Sequence, residues 1–166
     1  VRPASPADAP AIAAVHVRSW RSGYRGIVAD AVLEALSVAE YERNWVEWLA
    51  GDETTTLVAT ADDAVAGFAT SAIPSRDADA GADTAELVGL YVDPAHWRGG
   101  LGRALLQEAM ARSRAHGCRE MTVWMLERNA TAIAFYGSFG FSGDGARKRH
   151  ARSRQPAIRM RATLPA

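Results

Sequence analysis

The segment from Glu86 to His116, ELVGLYVDPAHWRGGLGRALLQEAMARSRAH, constrains the fold more than any other stretch. It opens with an apolar run, Leu87 to Val92. Asp93-Pro94 then ends a strand, because proline donates no ladder hydrogen bond and restricts the residue before it. Gly99, Gly100 and Gly102 follow, and after them apolar residues recur at helical spacing: Leu101, Leu105, Leu106, Ala109 and Met110. Gly117 stands where a helix C-terminal glycine belongs. The reading is strand, glycine-rich turn, helix.

Such a turn suits a bulky anion. The first amides of a helix lack internal partners, the helix dipole puts partial positive charge there, and glycines let a ligand approach the backbone. Arg98 and Arg103 add charge on either side. A phosphate or pyrophosphate is the natural guest. A Walker loop needs Gly-Lys-Ser/Thr, and this segment has no lysine; a dinucleotide fingerprint needs a third glycine where Leu105 stands. Without a ligand, the same turn is a tight strand–helix connection.

The segment resembles motif A of the GNAT superfamily of acyl-CoA-dependent N-acetyltransferases. In that family a strand ends in a Val-Asp-Pro-like break, and a Gln/Arg-x-x-Gly-x-Gly/Ala turn holds the CoA pyrophosphate. Gly100 and Gly102 match the two small positions, while Trp97 stands where the family prefers Gln or Arg, with Arg98 one place later. A second resemblance lies downstream. Phe135-Tyr136-x-x-Phe139-Gly140-Phe141, with Asn129 before it, is similar to the family's late Tyr-x-x-x-Gly-Phe signature. Arg2-Pro3-Ala4 and Ser19-Trp20…Tyr24 also look like many bacterial members.

The rest of the chain is consistent with that fold. Ser5-Pro6-Ala7-Asp8 starts a helix with Ile12, Val15, His16, Ser19 and Trp20 on one face. A short helix begins at Asp30. Ser37-Val38-Ala39-Glu40 is a capping box opening a helix with Tyr41, Trp45, Trp48 and Leu49 on one face. Strands are predicted over 54–60, 64–73, 119–126 and 157–164, with another starting at Gly140-Phe141 and a helix capped by Asn129. Polar residues 74–83 read as a mobile loop. The expected architecture is α/β: one mixed, mostly antiparallel sheet of six to seven strands, about four flanking helices, and a splay between strands 4 and 5. One domain is expected over 1–166.

A chain 48% hydrophobic and 23% charged suits a globular domain, and no apolar run approaches the ~20 residues of a membrane-spanning helix. Val1 opens no signal-like segment, and a first Met reads as trimmed or missing; the expected location is cytoplasmic. Cys118 begins an apolar strand and reads as a buried thiol. Residues 1–96 hold 15 acids and 6 arginines, a net −9, and residues 97–166 hold 13 bases and 4 acids, a net +9. A basic half suits a polyanionic cofactor and an acidic half a cationic amine; equally, the charges mix on the folded surface.

The resemblance implies acetyl transfer from acetyl-CoA to a primary amine, in a ternary complex, with no metal. It implies that Leu90, Tyr91 and Val92 offer the fourth strand's edge to the pantetheine arm, where an amide polarises the thioester carbonyl. Trp97, Arg98, Gly99, Gly100, Leu101, Gly102 and Arg103 surround the pyrophosphate, and Asn129 adds a cofactor contact beside its cap. An ammonium of pKa about 10.4 is charged at neutral pH. Glu86 is the candidate general base, directly or through water, with His16, His96, Tyr24 and Glu34 in reserve. Tyr136 is implied as the acid that protonates the leaving thiolate. Trp20, Tyr24 and Trp45 are candidate walls for the acceptor, although the Trp45/Trp48 stripe also suits the core. The acceptor is a small-molecule or peptide amine. No membrane partner is expected, and a homodimer is open. Two rivals stand beside this reading: a non-catalytic acyl-CoA-sensing module, and a nucleic-acid-binding protein using the basic run 147–154. That run also reads as a solvated hairpin or as an anion site for the CoA 3′-phosphate or an acidic substrate, and its lack of interleaved aromatics disfavours nucleic acid.

Overall fold

The computed structural model describes residues 1–164. Seven strands form one sheet, β1 (Arg2–Pro3), β2 (Thr55–Ala61), β3 (Ala64–Ala72), β4 (Thr84–Val92), β5 (Glu120–Leu126), β6 (Ser142–Arg149) and β7 (Pro156–Thr163). Their order is β1-β2-β3-β4-β5-β7-β6. Every neighbouring pair is antiparallel except β4 and β5, which run parallel. Five helices accompany the sheet among the described residues: α1 (Ala9–Gly23), α2 (Asp30–Glu34), α3 (Val38–Ala50), α4 (Leu101–Ala115) and α5 (Ala130–Gly137). The mixed sheet agrees with expectation. The five helices include the short one expected from Asp30, α2, a piece of only five residues.

Strand alternation divides the core between the two faces of the sheet. Leu87, Val123 and Met160 pack with Leu105, Leu106 and Ala109 of α4, and with Tyr136 of α5. On the opposite face Val58 and Phe68 pack with Ile12, Val15 and Trp20 of α1 and with Tyr41 and Trp45 of α3. Cys118 is buried with a free thiol, as its place at an apolar strand suggested. None of the described helices is long and apolar enough to cross a membrane.

Two departures from regular pairing shape the centre of the sheet. β4 pairs with β5 only from Thr84–Glu120 to Leu87–Val123, and then the parallel strands part. On the other side of β4, Gly89 faces Thr70 and Leu87 faces Ser71, so Val88 is an extra, bulged residue. The backbone from Val88 to Val92 therefore has no strand partner on its β5 side.

The 74–83 segment is pinned, in contrast to the mobile loop expected. The buried Arg159 guanidinium binds Asp77 at 3.1 Å, Asp79 at 2.6 Å and Asp144 at 2.7 Å. Asp77 also accepts the Trp124 indole N–H at 2.9 Å. The acids that made the segment look solvated are satisfied by an arginine eighty residues away.

Candidate active site

The splay opens two cavities that share Val88, Gly89 and Tyr91. One, of about 730 Å³, lies over the strand–turn–helix unit and α5. The other, of about 680 Å³, lies between α1, α3 and β3, with the β6–β7 turn at its side.

The first cavity gathers most of the residues expected to hold a cofactor: Leu90, Tyr91, Val92, Trp97, Arg98, Gly100, Leu101, Gly102, Arg103, Asn129 and Tyr136. Gly100 caps α4 with φ +85°, a left-handed conformation that glycine adopts without steric penalty. A Cβ there would meet nothing within 4 Å, so the cradle is open. The first amides of α4, at Leu101, Gly102 and Arg103, have no intrahelical acceptors and face a ready anion position. These features fit a pyrophosphate. Gly99 stands apart from the lining, and its amide bonds to the His96 carbonyl at 3.3 Å. Trp97 turns its indole N–H to the Val92 carbonyl at 2.7 Å, an acceptor it shares with the Ser19 hydroxyl at 2.8 Å. Asn129 caps α5 by accepting the Ala132 amide at 3.1 Å, which leaves its NH₂ group free to turn toward the cavity.

Tyr136 is buried where this cavity reaches the splay. Burial pushes its phenol well above the ordinary range, and the neighbouring Tyr91 phenol adds to the shift. It is protonated at neutral pH. Tyr24 lines the same cavity rather than the second one, and burial raises its phenol in the same way. The Tyr91 ring folds back over Gly89, where a Cβ would come within 2.9 Å of Tyr91 Cε2. A side chain at that point of β4 would have to displace the Tyr91 ring.

The second cavity is walled by His16, Trp20, Tyr41, Trp45, Phe68 and Tyr91. The Trp stripe of α3 is split: Trp45 is 3% exposed and belongs to the core, while Trp48 is 46% exposed at the cavity rim. His16 stacks on Tyr91 at 4.7 Å and meets the edge of Tyr41 at 4.4 Å. Burial, with a smaller effect of Arg152, holds its pKa down to about 3. The Trp45 indole N–H lies 3.3 Å from His16 Nδ1. An indole nitrogen only donates, so Nδ1 accepts and Nε2 carries the proton. In this state His16 is a neutral donor.

Glu86 is buried and lines neither cavity. Both of its oxygens are held by Arg76, Nε and Nη2 each at 2.9 Å. Arg76 does reach the second cavity, so the pair forms its side. Sequence reasoning found Glu86 but not its partner. Nor did it single out Phe68 or Val88, and it read His150 only as part of the basic run; all three complete the acceptor-side wall. The visible signal was the i,i+4 spacing of His16 and Trp20, which puts both on one face of α1. The basic run is dispersed: Arg147 pairs with Glu127, Arg152 with Glu40, and Lys148 lies 3.9 Å over Trp124.

Comparison with known proteins agrees with this architecture. The family model described as the acetyltransferase (GNAT) family matches residues 16–141. The uncharacterized N-acetyltransferase YuaI of Bacillus subtilis is 35% identical over 145 residues, covering 84% of this chain and 78% of that protein. The ribosomal protein bS18-alanine N-acetyltransferase of Salmonella typhimurium is 37% identical over 94 residues, 55% of this chain and 57% of that protein. Among solved structures, the PaiA N-acetyltransferase of Thermoplasma acidophilum in complex with coenzyme A has a TM-score of 0.76 at 23% identity, covering 98% and 96% of the two chains. The ribosomal-protein-alanine N-acetyltransferase of Brucella melitensis has 0.75 at 25% identity, covering 98% of each.

Proposed function

The chain belongs to the acetyltransferase (GNAT) family, and from that premise we propose that it moves an acetyl group from acetyl-CoA to a primary amine by direct attack in a ternary complex. The observation that carries this reading is the meeting of the two cavities at Val88, Gly89 and Tyr91, where β4 leaves β5. One cavity offers an anion cradle and a free strand edge; the other offers an aromatic chamber for an amine. The coenzyme A complex of the Thermoplasma neighbour supports the cofactor class. The bS18-alanine acetyltransferases support an amine on a small molecule or a polypeptide.

When bound, acetyl-CoA supplies the thioester that the amine attacks. The amides opening α4 would hold its pyrophosphate, and the unpaired edge from Val88 to Val92 would align its arm. An amide of that edge would donate to the carbonyl oxygen as negative charge builds there. The acceptor ammonium would pass its proton through cleft water to a Glu86 oxygen, which would give up its hydrogen bond from Arg76 to take it. Tyr136 donates its phenolic proton to the departing sulfur. The raised pKa keeps Tyr136 in its protonated, donating form, and the proton it gives to sulfur would be replaced through cleft water.

The test is thermal unfolding with acetyl-CoA, CoA, NAD and ATP in parallel. Ligand at 100 times its Kd adds about 2.7 kcal/mol, which moves the melting of a domain this size by several degrees. Selective shifts with acetyl-CoA and CoA, followed by thiol release in the presence of amines, are expected. No shift with either defeats the reading.

A further inference from the structure

The acceptor chamber carries polar groups that the transfer step does not use. His16 and Trp20 share one face of α1, with ring centroids 6.2 Å apart. The Trp45 indole at His16 Nδ1 leaves the proton on Nε2, and among the described residues Nε2 has no hydrogen-bond partner. Trp20 Nε1 is buried and also unpartnered; the Tyr91 phenol lies close enough to feel it, yet no hydrogen bond closes. An aromatic wall with an unpaired donor favours a ligand that brings an acceptor atom.

The surrounding charges define that atom. A carboxylate needs a free cation, but the Arg76 guanidinium is held by Glu86 and Arg152 by Glu40. The mouth instead carries Glu47, Asp52 and Glu53, beside the negative end of α3. A neutral carbonyl fits where a carboxylate does not. Trp48, exposed at the rim, and the partly buried Tyr91 offer apolar surface for a large side chain, with Trp45 and Phe68 packed behind them, and the amine has to reach Gly89, where the cavities join.

We infer that His16 is a specificity-determining donor for a carbonyl on the acceptor, and that the acceptor is an α-amino amide with a bulky apolar side chain. This rests on the transferase reading above. The same unit occurs in a free amino-acid amide and at the first residue of a polypeptide. In either source the His16 N–H meets the carbonyl oxygen while the α-amine points to the thioester.

The experiment follows thiol release from acetyl-CoA with four acceptors: phenylalaninamide, phenethylamine, phenylalanine and the peptide Phe-Lys-Lys-amide. The expected kcat/KM is about tenfold higher for both amides than for phenethylamine or phenylalanine. The better of the two amides then identifies the source. His16→Phe keeps an aromatic ring but deletes the N–H, and should bring the phenylalaninamide-to-phenethylamine ratio close to one; His16→Gln, which restores a donor, should recover part of it. Phenethylamine acetylated as fast as the amide by the unmodified protein overturns the proposal and leaves the transferase reading standing. So does a ratio unchanged in folded His16→Phe. No thiol release with any amine defeats the transferase reading and this proposal together.

Discussion

Tyr136 shows how burial and position define one side chain's chemistry. Its ring sits among Phe135 at 5.1 Å and Phe141 at 5.6 Å, which fix its orientation without engaging the hydroxyl. Removing only the oxygen therefore leaves the packing intact. Tyr136→Phe is expected to keep the acetyl-CoA thermal shift and to lower turnover by roughly 10²–10⁴-fold. Turnover within a factor of three of the unmodified protein would remove Tyr136 from the mechanism. Glu86 makes the opposite point at the same scale. The sequence marks it as an acid on the central strand, but its chemistry depends on Arg76, ten residues earlier and across the turn from β3 to β4. Charge identity is local information; charge pairing is not. The same holds for His16, which burial and Arg152 keep neutral and whose tautomer is set by Trp45 from another helix.

At the scale of elements, the unit of β4, the glycine turn and α4 was the most legible part of the chain. Its determinants are short-range: an Asp-Pro stop, glycines at the turn, helical spacing, and Gly117 at φ +86° after the helix. Gly100 tests that unit. Any side chain at φ +85° is strained by roughly 1–2 kcal/mol, and here there is open space around the missing Cβ. Gly100→Ala should thus lower the melting temperature by a few degrees. A methyl in the cradle should also weaken acetyl-CoA by more than the stability loss accounts for. Equal affinity in the variant, measured by titration calorimetry, would separate the turn from the cofactor. The splay and the Val88 bulge were harder to read. A glycine inside a strand, such as Gly89, is a common mark of a bulge, but the extra residue is its neighbour, and only the register with Thr70 and Ser71 fixes which one. Pairing across strands decides such a detail, and periodicity along one strand carries no record of it.

Over the whole molecule, the acidic and basic halves are stitched together. Arg159 alone holds Asp77, Asp79 and Asp144, and Arg152 reaches Glu40. This is the mixing of charges that the net −9 and +9 left open, and it is why 74–83 lies against the sheet. Arg159→Met removes the buried cation shared by Asp77, Asp79 and Asp144, of which Asp77 keeps the Trp124 N–H and Asp144 keeps Arg161. The expected cost is about 1–3 kcal/mol, read as a fall of roughly 3–10 °C in Tm. A change under two degrees would mean that apolar packing alone holds the segment.

The strand order β5-β7-β6 carries one more consequence. β7 lies between two strands that precede it in the chain, and all of β5 pairs with it. During synthesis both β5 and β6 wait with open edges until residues 156–163 have emerged. The site inherits that delay, since Arg159 on β7 is what draws 74–83 into place beside the acceptor chamber. Catalytic competence should therefore be one of the last properties a newly made chain acquires, and the interval before it is when the chain most needs shielding from other exposed strands.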